Sequence, residues 1–335
     1  MKIVLTGGGT GGHIIPNIAL VPHLKKYFDE IIYIGSETGM EKELLKPYNI
    51  PFFPVDCVKF DRSRPLKNLK IPFRLARSIR AARALLSDIK PDVVFAKGGF
   101  VSLPVCLAAH KLKIHFVIHE SDYTFGLANK LLLNKASVVM TNFDMKNSKY
   151  VHVGMPLRDE LFKFEKSRFT RPVVLFVGGS SGAKFINDLV RQSIDKLTGK
   201  YYVVHICGKD NSIESSNPFY KQVEYTNSIG KLYKDADIVV SRAGATVAAE
   251  VMALNKKTVF IPLEKRASRG DQILNAEYYE KKNLALVLRE KDADTNTLVS
   301  AIEKAFDLKI SDIADVKSAN ETICAKLYAL AKAKE

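Results

Sequence analysis

Short runs of β-branched and aliphatic residues alternate with longer segments of helical spacing along the whole chain. In the first half these runs are strand-length, and each is followed by turn residues and a helix-length segment. Continuous apolar runs of this length are typical of parallel strands buried on both faces. The predicted strands are residues 2–6, 31–35, 92–96 and 115–119. The alternation predicts a doubly wound α/β sheet.

The same pattern restarts after a polar stretch at residues 153–172. Its predicted strands are residues 172–177, 202–206, 237–241 and 258–262. A chain of 335 residues has room for two cores. We therefore expect an α/β protein with two Rossmann-like domains, 1–156 and 157–317, whose carboxyl strand ends face a ligand cleft. A terminal helix over about 318–335 is expected to pack back on the first domain.

Three sequence features bear on the cellular compartment: the length of the apolar runs, the N-terminal segment and the spacing of the cysteines. No apolar run approaches the roughly 20 residues of a transmembrane helix, and a secretory signal does not fit before the first glycine loop. Cys57, Cys106, Cys207 and Cys324 have neither metal-ligand nor redox spacing. We expect a cytoplasmic protein whose cysteines are structural and which carries no metal site.

Positive charge is concentrated in the first half. Of a net charge of +15, residues 1–155 contribute most, with 22 Lys and Arg against 12 Asp and Glu. The basic segment, residues 59–90, holds ten Lys or Arg against two Asp and should seek an anionic surface. Apolar residues interleave with it, which favours a membrane over a merely solvated helix face. The residues expected to contact the membrane are Lys67, Lys70, Ile71, Phe73, Arg74 and Arg77. Without a nucleic-acid-binding motif or an aromatic array, nucleic acid is not an expected partner.

The strongest local motif is the glycine loop at residues 7–12, which ends the first strand and precedes His13. Glycines let a ligand approach the backbone, and the following helix N-terminus favours phosphate. The loop also fits the dinucleotide pattern, with Glu37 as ribose acid, so a nicotinamide oxidoreductase is an alternative. A second glycine loop at residues 178–182 and the titratable His13 argue instead for two phosphate-bearing ligands.

Two further motifs lie in the second half. Residues 241–246 end a strand in small residues at a helix start, and Glu250 follows one turn later, where a carboxylate can accept ribose hydroxyls. Residues 269–275 place Asp271, Gln272 and Asn275 on one helix-start face suited to sugar hydroxyls.

Together these motifs resemble the MurG family of N-acetylglucosaminyltransferases. The matching segments are residues 7–13, 97–102, 119–120, 154–158, 178–183 and 241–246, with Glu250 downstream. The resemblance covers nearly the whole chain and implies a GT-B fold and inversion at the anomeric carbon. It also implies transfer of GlcNAc from UDP-GlcNAc to the C4 hydroxyl of lipid I, which forms lipid II in peptidoglycan synthesis. No cofactor or essential bound metal is implied; UDP-GlcNAc is a co-substrate.

Carried over by position, the resemblance implies a role for each site residue. His13 is implied as the base and Glu120 as a second catalytic candidate. Ile229 would lie beside uracil, Thr246 at the donor phosphates, Glu250 at the ribose and Gln272 at the GlcNAc hydroxyls. The full set of implied donor contacts is Thr10, Gly11, Gly12, Asp122, Arg158, Ser180, Ser181, Ile229, Ala243, Gly244, Ala245, Thr246, Glu250, Asp271, Gln272 and Asn275. The implied acceptor contacts are Gly9, Thr10, Lys97, Gly98 and Gly99.

Two departures from the family pattern bear on sugar identity. The chain has Ser121-Asp122 where the family has Gln-Asn, and Asp271-Gln272 where a Gln pair is frequent. A carboxylate at Asp122 or Asp271 accepts hydroxyl hydrogen bonds but, unlike an amide, cannot donate. Independently of these departures, a related GT-B lipid glycosyltransferase and a UDP-sugar epimerase stay as alternatives; an epimerase would turn over UDP-sugar without an acceptor and would need several cleft carboxylates, which the sequence does not obviously provide.

The implied location is peripheral, on the anionic inner face of the plasma membrane. The resemblance connects the chain to cell-wall biogenesis, cell shape and cell division, with other cell-wall synthesis proteins as partners.

The basic segment predicts salt-sensitive binding to anionic vesicles. Each Lys or Arg near an anionic surface contributes about 1 kcal/mol, and salt screens that attraction. The chain should co-sediment with anionic vesicles and poorly with neutral ones. Replacing Lys67, Lys70, Arg74 and Arg77 together by Ser should abolish co-sedimentation and leave UDP binding intact. Equal binding to both vesicle types would indicate that the segment is only a solvated helix face.

Overall fold

A computed structural model describes residues 1–57, 71–178, 182–264, 269–310 and 318–333. The chain divides into two compact units. The first is Met1–Arg158 together with Lys317–Glu335, and the second is Asp159–Val316. The roles expected for the two domains stay predictions.

The first unit contains a parallel sheet of seven strands. Their spatial order is β3-β2-β1-β4-β5-β6-β7. The strands are β1 (Lys2–Thr6), β2 (Glu30–Ser36), β3 (Phe52–Val55), β4 (Val93–Ala96), β5 (His115–Glu120), β6 (Val138–Thr141) and β7 (Val151–His152). The helices are α1 (Gly11–Leu24), α2 (Glu41–Leu45), α3 (Ile71–Ile89), α4 (Ser102–Lys111), α5 (Leu127–Leu132) and, from the chain end, α11 (Ser318–Lys332), with a 3₁₀ turn at Lys46–Tyr48.

The second unit repeats this design with six parallel strands. Their order is β10-β9-β8-β11-β12-β13. The strands are β8 (Val173–Val177), β9 (Tyr202–Ile206), β10 (Tyr220–Val223), β11 (Ile238–Ser241), β12 (Lys257–Phe260) and β13 (Leu286–Val287). The helices are α6 (Lys184–Lys200), α7 (Ile229–Asp235), α8 (Ala245–Ala253), α9 (Asp271–Glu280) and α10 (Thr295–Ala305), with 3₁₀ turns at Asp159–Phe162 and Glu290–Asp292. The two α/β units confirm the predicted fold class.

Side-chain alternation along β1 explains why its sequence is apolar throughout. Ile3 and Leu5 join the core that α1, α2 and α11 cover, whereas Val4 joins the core beneath α3, α4 and α5. Both faces of the strand are therefore buried, as expected for a parallel sheet with helices on each side. In both units the strand order reverses beside the first strand, β1 or β8. Ligands of doubly wound sheets bind outside the carboxyl ends at such switch points.

Helix α3 carries most of the described part of the basic segment. Its buried residues Ser78, Ala82 and Leu86 face the unit, while Arg74 and Arg77 are exposed. Phe73 is 81% exposed. Ile71 and Phe73, two of the expected membrane contacts, lie in the first turn of the helix; Lys67 and Lys70 lie outside the described residues. No helix in the described ranges combines the length and hydropathy needed to cross a bilayer.

Asn320 fastens α11 to the first unit. Its side chain is 4% exposed, and its amide donates to Leu157 O at 2.7 Å while its oxygen accepts from Leu157 N at 3.1 Å. Behind it, Ile323, Cys324 and Leu327 are fully buried in the core that contains β1. The end of the chain is thereby an integral part of the first unit.

Replacing Asn320 with Ala should therefore destabilise the first unit. Both backbone groups of Leu157 would be buried without partners, at a cost of about 1–3 kcal/mol. Denaturant unfolding followed by circular dichroism measures this. Lys326→Ala, at an exposed position on the same helix, is the control and should change little. Equal stability of the two variants would show that the Asn320 bonds contribute nothing.

Candidate active site

The glycine loop of the first unit lies at the carboxyl end of the sheet, close to Gly99 and Phe100 of the β4–α4 turn. Gly9 has φ +85°, and a Cβ there would lie 2.6 Å from the Phe100 ring. A Cβ at Gly99 would lie 2.2 Å from Gly8 O. Close backbone approach therefore requires glycine at position 99, and the positive φ and the Phe100 ring favour glycine at position 9. The β1–α1 and β4–α4 turns consequently form one packed surface.

His13 lies on this surface, in the first turn of α1. Its Nδ1 is 3.1 Å from Gly8 O and 3.1 Å from Thr10 Oγ1, and the ring packs against Gly98 and Gly99. Because a carbonyl oxygen can only accept, Nδ1–H donates to Gly8 O. The neutral imidazole then has its lone pair on Nε2, in the form that a general base requires.

The start of α1 is suited to an anion. Thr10 is the N-cap residue in extended conformation, and its side chain makes no capping hydrogen bond. Thr10 is exposed, while Gly9, Gly11 and Gly12 are half-buried. First-turn N–H groups that no side chain caps are available to phosphate or to a sugar hydroxyl. The structure thus brings together Gly9, Thr10, Gly11, Gly12, His13, Gly98 and Gly99.

Glu120, the second catalytic candidate, is engaged by its own turn. Its carboxylate is 5% exposed and accepts from the backbone N–H groups of Ser121, Asp122 and Gly126 and from Asn129 Nδ2, at 2.9–3.2 Å. Four donors hold it as an anchor for the turn between β5 and α5. This geometry favours a positioning role for Glu120 over proton transfer, and it holds the half-buried Asp122 in place.

Lys97 points into the first unit. The residue is 1% exposed, and its Nζ donates to His119 Nδ1 at 2.8 Å and to Ser121 Oγ. His119 in turn donates from Nε2 to Gly154 O at 2.8 Å. Burial lowers the pKa of Lys97 to about 7, although Glu120 and Asp122 oppose the shift. Burial and the nearby Lys97 also hold the pKa of His119 well below its usual range. The expected acceptor contact by the Lys97 ammonium does not fit this burial, which spacing alone does not reveal.

In the second unit, a cavity of about 580 Å³ opens at the carboxyl ends of β8, β11 and β12. Its described lining includes Gly178, Gly182, Lys184, Arg242, Gln272 and Glu290. Arg242 pairs with Glu290 and donates to Ile261 O at 3.0 Å. The ion pair thus fixes the guanidinium beside the second glycine loop. Ser180 and Ser181 of that loop lie outside the described residues.

Helix α8 begins beside this cavity, and its N-cap, Gly244, provides no side-chain cap. Ala243 and Ala245 are buried and Thr246 is half-buried. Glu250 is 6% exposed and accepts from Tyr233 Oη at 3.2 Å. Tyr233 lies one turn after Ile229, the first residue of α7, so the structure brings the predicted uracil and ribose contacts together through a tyrosine that sequence reasoning missed.

The three predicted sugar contacts on helix α9 differ in burial. Gln272 lines the cavity, and its Oε1 accepts from Leu263 N at 3.0 Å. Asp271 is half-buried and accepts from Arg269. Asn275, by contrast, is fully buried and donates to Ala243 O at 3.1 Å. Asn275 therefore fixes the turn before α8, and its expected direct contact with the sugar does not fit its burial.

Two other expectations concern Arg158 and metals. Arg158 is half-buried at the end of the first segment of the first unit, and its contact with the nucleotide stays a prediction. Across the described ranges, no group of three or more His, Cys, Asp or Glu is placed to hold a metal ion. The expectation that the reaction needs no bound metal stays a prediction.

Two family models match the chain, one on each half. The glycosyltransferase family 28 N-terminal domain matches residues 3–141, and the family 28 C-terminal domain matches residues 173–330.

Relatives of high coverage carry one enzyme name. The UDP-N-acetylglucosamine--N-acetylmuramyl-(pentapeptide) pyrophosphoryl-undecaprenol N-acetylglucosamine transferase of Lachnospira eligens is 45% identical over 321 residues, 91% of each chain. The transferase of the same name from Lachnoclostridium phytofermentans is 44% identical over 336 residues, which is 96% of this chain and 95% of the relative.

Solved structures share the fold. MurG from Acinetobacter baumannii superposes with a TM-score of 0.79 at 24% identity, covering 98% of this chain and 99% of that one. UDP-GlcNAc 2-epimerase from Neisseria meningitidis bound to UDP-GlcNAc gives a TM-score of 0.67 at 14% identity, with 98% and 100% coverage.

The buried Lys97 predicts a pH dependence of stability. Its pKa is about 7 when folded and about 10.4 when unfolded, so unfolding takes up a proton between these values. The free energy of unfolding should therefore rise with pH across this window, by roughly 1 kcal/mol per pH unit from this group. Lys97→Met should remove that rise in denaturant unfolding experiments, whereas Lys130→Met, at an exposed position, should keep it. Parallel pH profiles for wild type and Lys97→Met would contradict the assignment.

Proposed function

The chain belongs to glycosyltransferase family 28 and to its N-acetylglucosaminyltransferases of peptidoglycan synthesis, and on that basis we propose its reaction. The enzyme transfers GlcNAc from UDP-GlcNAc to the C4 hydroxyl of MurNAc in undecaprenyl-pyrophosphoryl-MurNAc-pentapeptide, converting lipid I to lipid II. The observation that carries this proposal is 44–45% identity over more than nine-tenths of the chain with transferases of that name.

His13 acts as the general base. Its Nδ1–H is held by Gly8 O, so Nε2 removes the proton of the C4 hydroxyl as that oxygen attacks the anomeric carbon. A single displacement of this kind inverts the anomeric configuration. The uncapped start of α1 and the backbone at Gly98 and Gly99 bind the acceptor diphosphate.

The second unit binds the donor and stabilises the leaving UDP. As the glycosidic bond breaks, negative charge grows on the diphosphate, and the N-terminal N–H groups of α8 with the Arg242 guanidinium offset it. Glu250 accepts from the ribose hydroxyls, and Ile229 lies beside uracil. Gln272 and Asp271 contact the GlcNAc hydroxyls.

The alternative activities have less support. The likeness to UDP-GlcNAc 2-epimerase is one of fold alone, at 14% identity. An epimerase needs carboxylates for proton abstraction, yet Glu120 is held by four donors and Glu290 by Arg242. A nicotinamide oxidoreductase would use a single dinucleotide loop, whereas this chain matches a glycosyltransferase model on each half.

We place the enzyme on the anionic cytoplasmic face of the membrane, beside other proteins of cell-wall synthesis. The exposed Phe73 and the exposed arginines of α3 support this location, since an apolar residue flanked by positive charges binds a lipid surface.

A transfer assay tests the proposed reaction. Radiolabelled UDP-GlcNAc and a lipid I analogue should give labelled lipid II, and UDP-glucose with diacylglycerol, run in parallel, should give no product. If only the reaction with UDP-glucose and diacylglycerol gave product, the chain would be a related lipid glycosyltransferase and the proposal would fail. Conversion of UDP-GlcNAc without acceptor would indicate an epimerase.

Replacing His13 with Ala should lower kcat by about 100-fold or more, because the reaction loses its general base. The KM for UDP-GlcNAc should change little, since the donor is bound by the second unit. His110→Ala, at an exposed position on α4, is the matched control and should retain activity. Near-normal turnover by His13→Ala would mean that another group is the base.

Replacing Glu250 with Ala should weaken UDP binding by about 1–3 kcal/mol, because the ribose loses a charged acceptor. Isothermal titration calorimetry measures the change. Glu280→Ala, at an exposed position on α9, should bind UDP normally. If Glu250→Ala binds as tightly as this control, the ribose lies elsewhere.

A further inference from the structure

A single peptide group links His13 to a buried carboxylate. Gly8 O, which accepts from His13 Nδ1 at 3.1 Å, is one end of the Gly8–Gly9 peptide. The other end, Gly9 N–H, donates to Glu41 Oε1 at 3.0 Å. Glu41 thus reaches the imidazole through two hydrogen bonds and one peptide plane, although it lies 32 positions from Gly9 in the sequence.

The backbone around Glu41 is shaped to admit its carboxylate. Glu41 is the first residue of α2 and is 0% exposed. A Cβ at Gly8 would lie 1.8 Å from Glu41 Oε1, and a Cβ at Gly39 would lie 1.6 Å from Oε2. Any side chain at either position would therefore displace the carboxylate. The absence of side chains at Gly8 and Gly39 makes the space that this group fills.

The setting of Glu41 is unusual for a structural acid. Across the residues that the structure describes, its carboxylate makes no ion pair, and Oε2 has no hydrogen-bond partner. Burying a carboxylate with so few partners costs free energy. Its hydrogen bond runs to the peptide group that orients His13, so the carboxylate acts mainly on that peptide. Hydrogen bonds in series polarise one another, and here the charge strengthens Gly8 O as an acceptor.

We propose that Glu41 is a positioning residue for His13 that acts through the Gly8–Gly9 peptide. The carboxylate fixes the orientation of the peptide plane. Gly8 O then holds the proton on Nδ1 and leaves the lone pair on Nε2, and the negative charge stabilises the imidazolium that forms when Nε2 takes the acceptor proton. Carboxylates beside metal-bound histidines fix a tautomer and raise ligand basicity in a comparable way. The kinetic consequence rests on the proposed role of His13 as base.

Other titratable groups near the link between Glu41 and His13 do not change the direction in which Glu41 is expected to shift the pKa of His13. On the β2 side, Tyr33 donates to Gly7 O, and burial raises its pKa, so it stays neutral. Burial and the charge of Asp56 and Glu41 raise the pKa of the Cys57 thiol to about 12. On the β4 side, Lys97 titrates near pH 7, in the range of a histidine. Comparisons between variants must therefore keep Lys97 unchanged.

Kinetics of Glu41→Gln test the proposal. Glutamine keeps the shape and an acceptor but removes the charge, so kcat should fall by about tenfold with little change in the KM for UDP-GlcNAc. The acid limb of the kcat profile should move to lower pH by roughly half a unit, since the imidazolium loses a stabilising charge. Glu41→Asp, which keeps the charge, should restore the limb towards its wild-type position. Glu43→Gln, at an exposed residue of the same helix paired with Lys46, should match wild type. A Glu41→Gln enzyme with an unmoved acid limb would overturn the proposal.

Nuclear magnetic resonance provides a readout that needs no substrate. The ring nitrogens of His13, assigned by comparison with His13→Gln, should show the Nδ1–H tautomer in wild type and a lower pKa in Glu41→Gln. In wild type alone, the Gly9 amide shift should titrate with the His13 ring, because both use the same peptide group. A Gly9 amide that ignores the His13 titration would refute the link, even if Glu41→Gln failed to fold. If the wild-type enzyme transferred no GlcNAc, the proposed function would fail while these titrations still decided the link.

Discussion

The close approach of backbone to backbone at the carboxyl end of the first sheet is the constraint on which the rest of this site depends. The turn after β1 lies so near the turn after β4 that a Cβ at Gly99 would be 2.2 Å from Gly8 O. A glycine is therefore required at position 99, and a Cβ at Gly8 would in turn displace the Glu41 carboxylate. Once these glycines are in place, Gly8 O is oriented towards His13, the ring packs on Gly98 and Gly99, and the start of α1 has no side-chain cap. One steric requirement thus sets both the base and the anion-binding backbone.

In the second unit, side chains fix the backbone turns that precede the helix starts. Asn275, fully buried on α9, holds Ala243 O in the turn before α8, and Gln272 holds the backbone at Leu263. Arg242 is fixed by Glu290 and Ile261 O beside the cavity. Both units therefore present uncapped helix starts at the carboxyl ends of their parallel strands, which is where phosphate groups of a nucleotide sugar or a lipid diphosphate bind.

Much of the fold could be predicted because parallel strands buried on both faces read as continuous apolar runs. β1 and β9 agree with prediction to the residue. Of the five strands that were not predicted, β6 and β13 lie in apolar runs and were missed, whereas the other three lack this signal. β3 contains Pro54, β7 has only two residues, and β10 carries exposed polar positions at the edge of its sheet. Edge strands bury less of their surface, so their sequences are less constrained.

The candidate site was predictable where one motif holds all its parts. His13 and the glycines of its own loop lie within seven residues of sequence, 7–13, so local geometry places these residues near one another. The spacing of Lys97 and Asn275 gave no sign that both would be buried. Glu41, Tyr233 and Glu290 were missed because their partners Gly9, Glu250 and Arg242 come from distant elements that only the tertiary fold brings into contact.

The central claim is that His13 directs one displacement at the anomeric carbon. The anomeric configuration of the first-formed product tests it most directly, measured from the H1–H2 coupling of the transferred GlcNAc by proton NMR. UDP-GlcNAc is an α-glycoside, so a single displacement predicts a β-linked product. An α-linked product would require two displacements through a covalent intermediate or a front-face mechanism, and either would contradict the role assigned to His13.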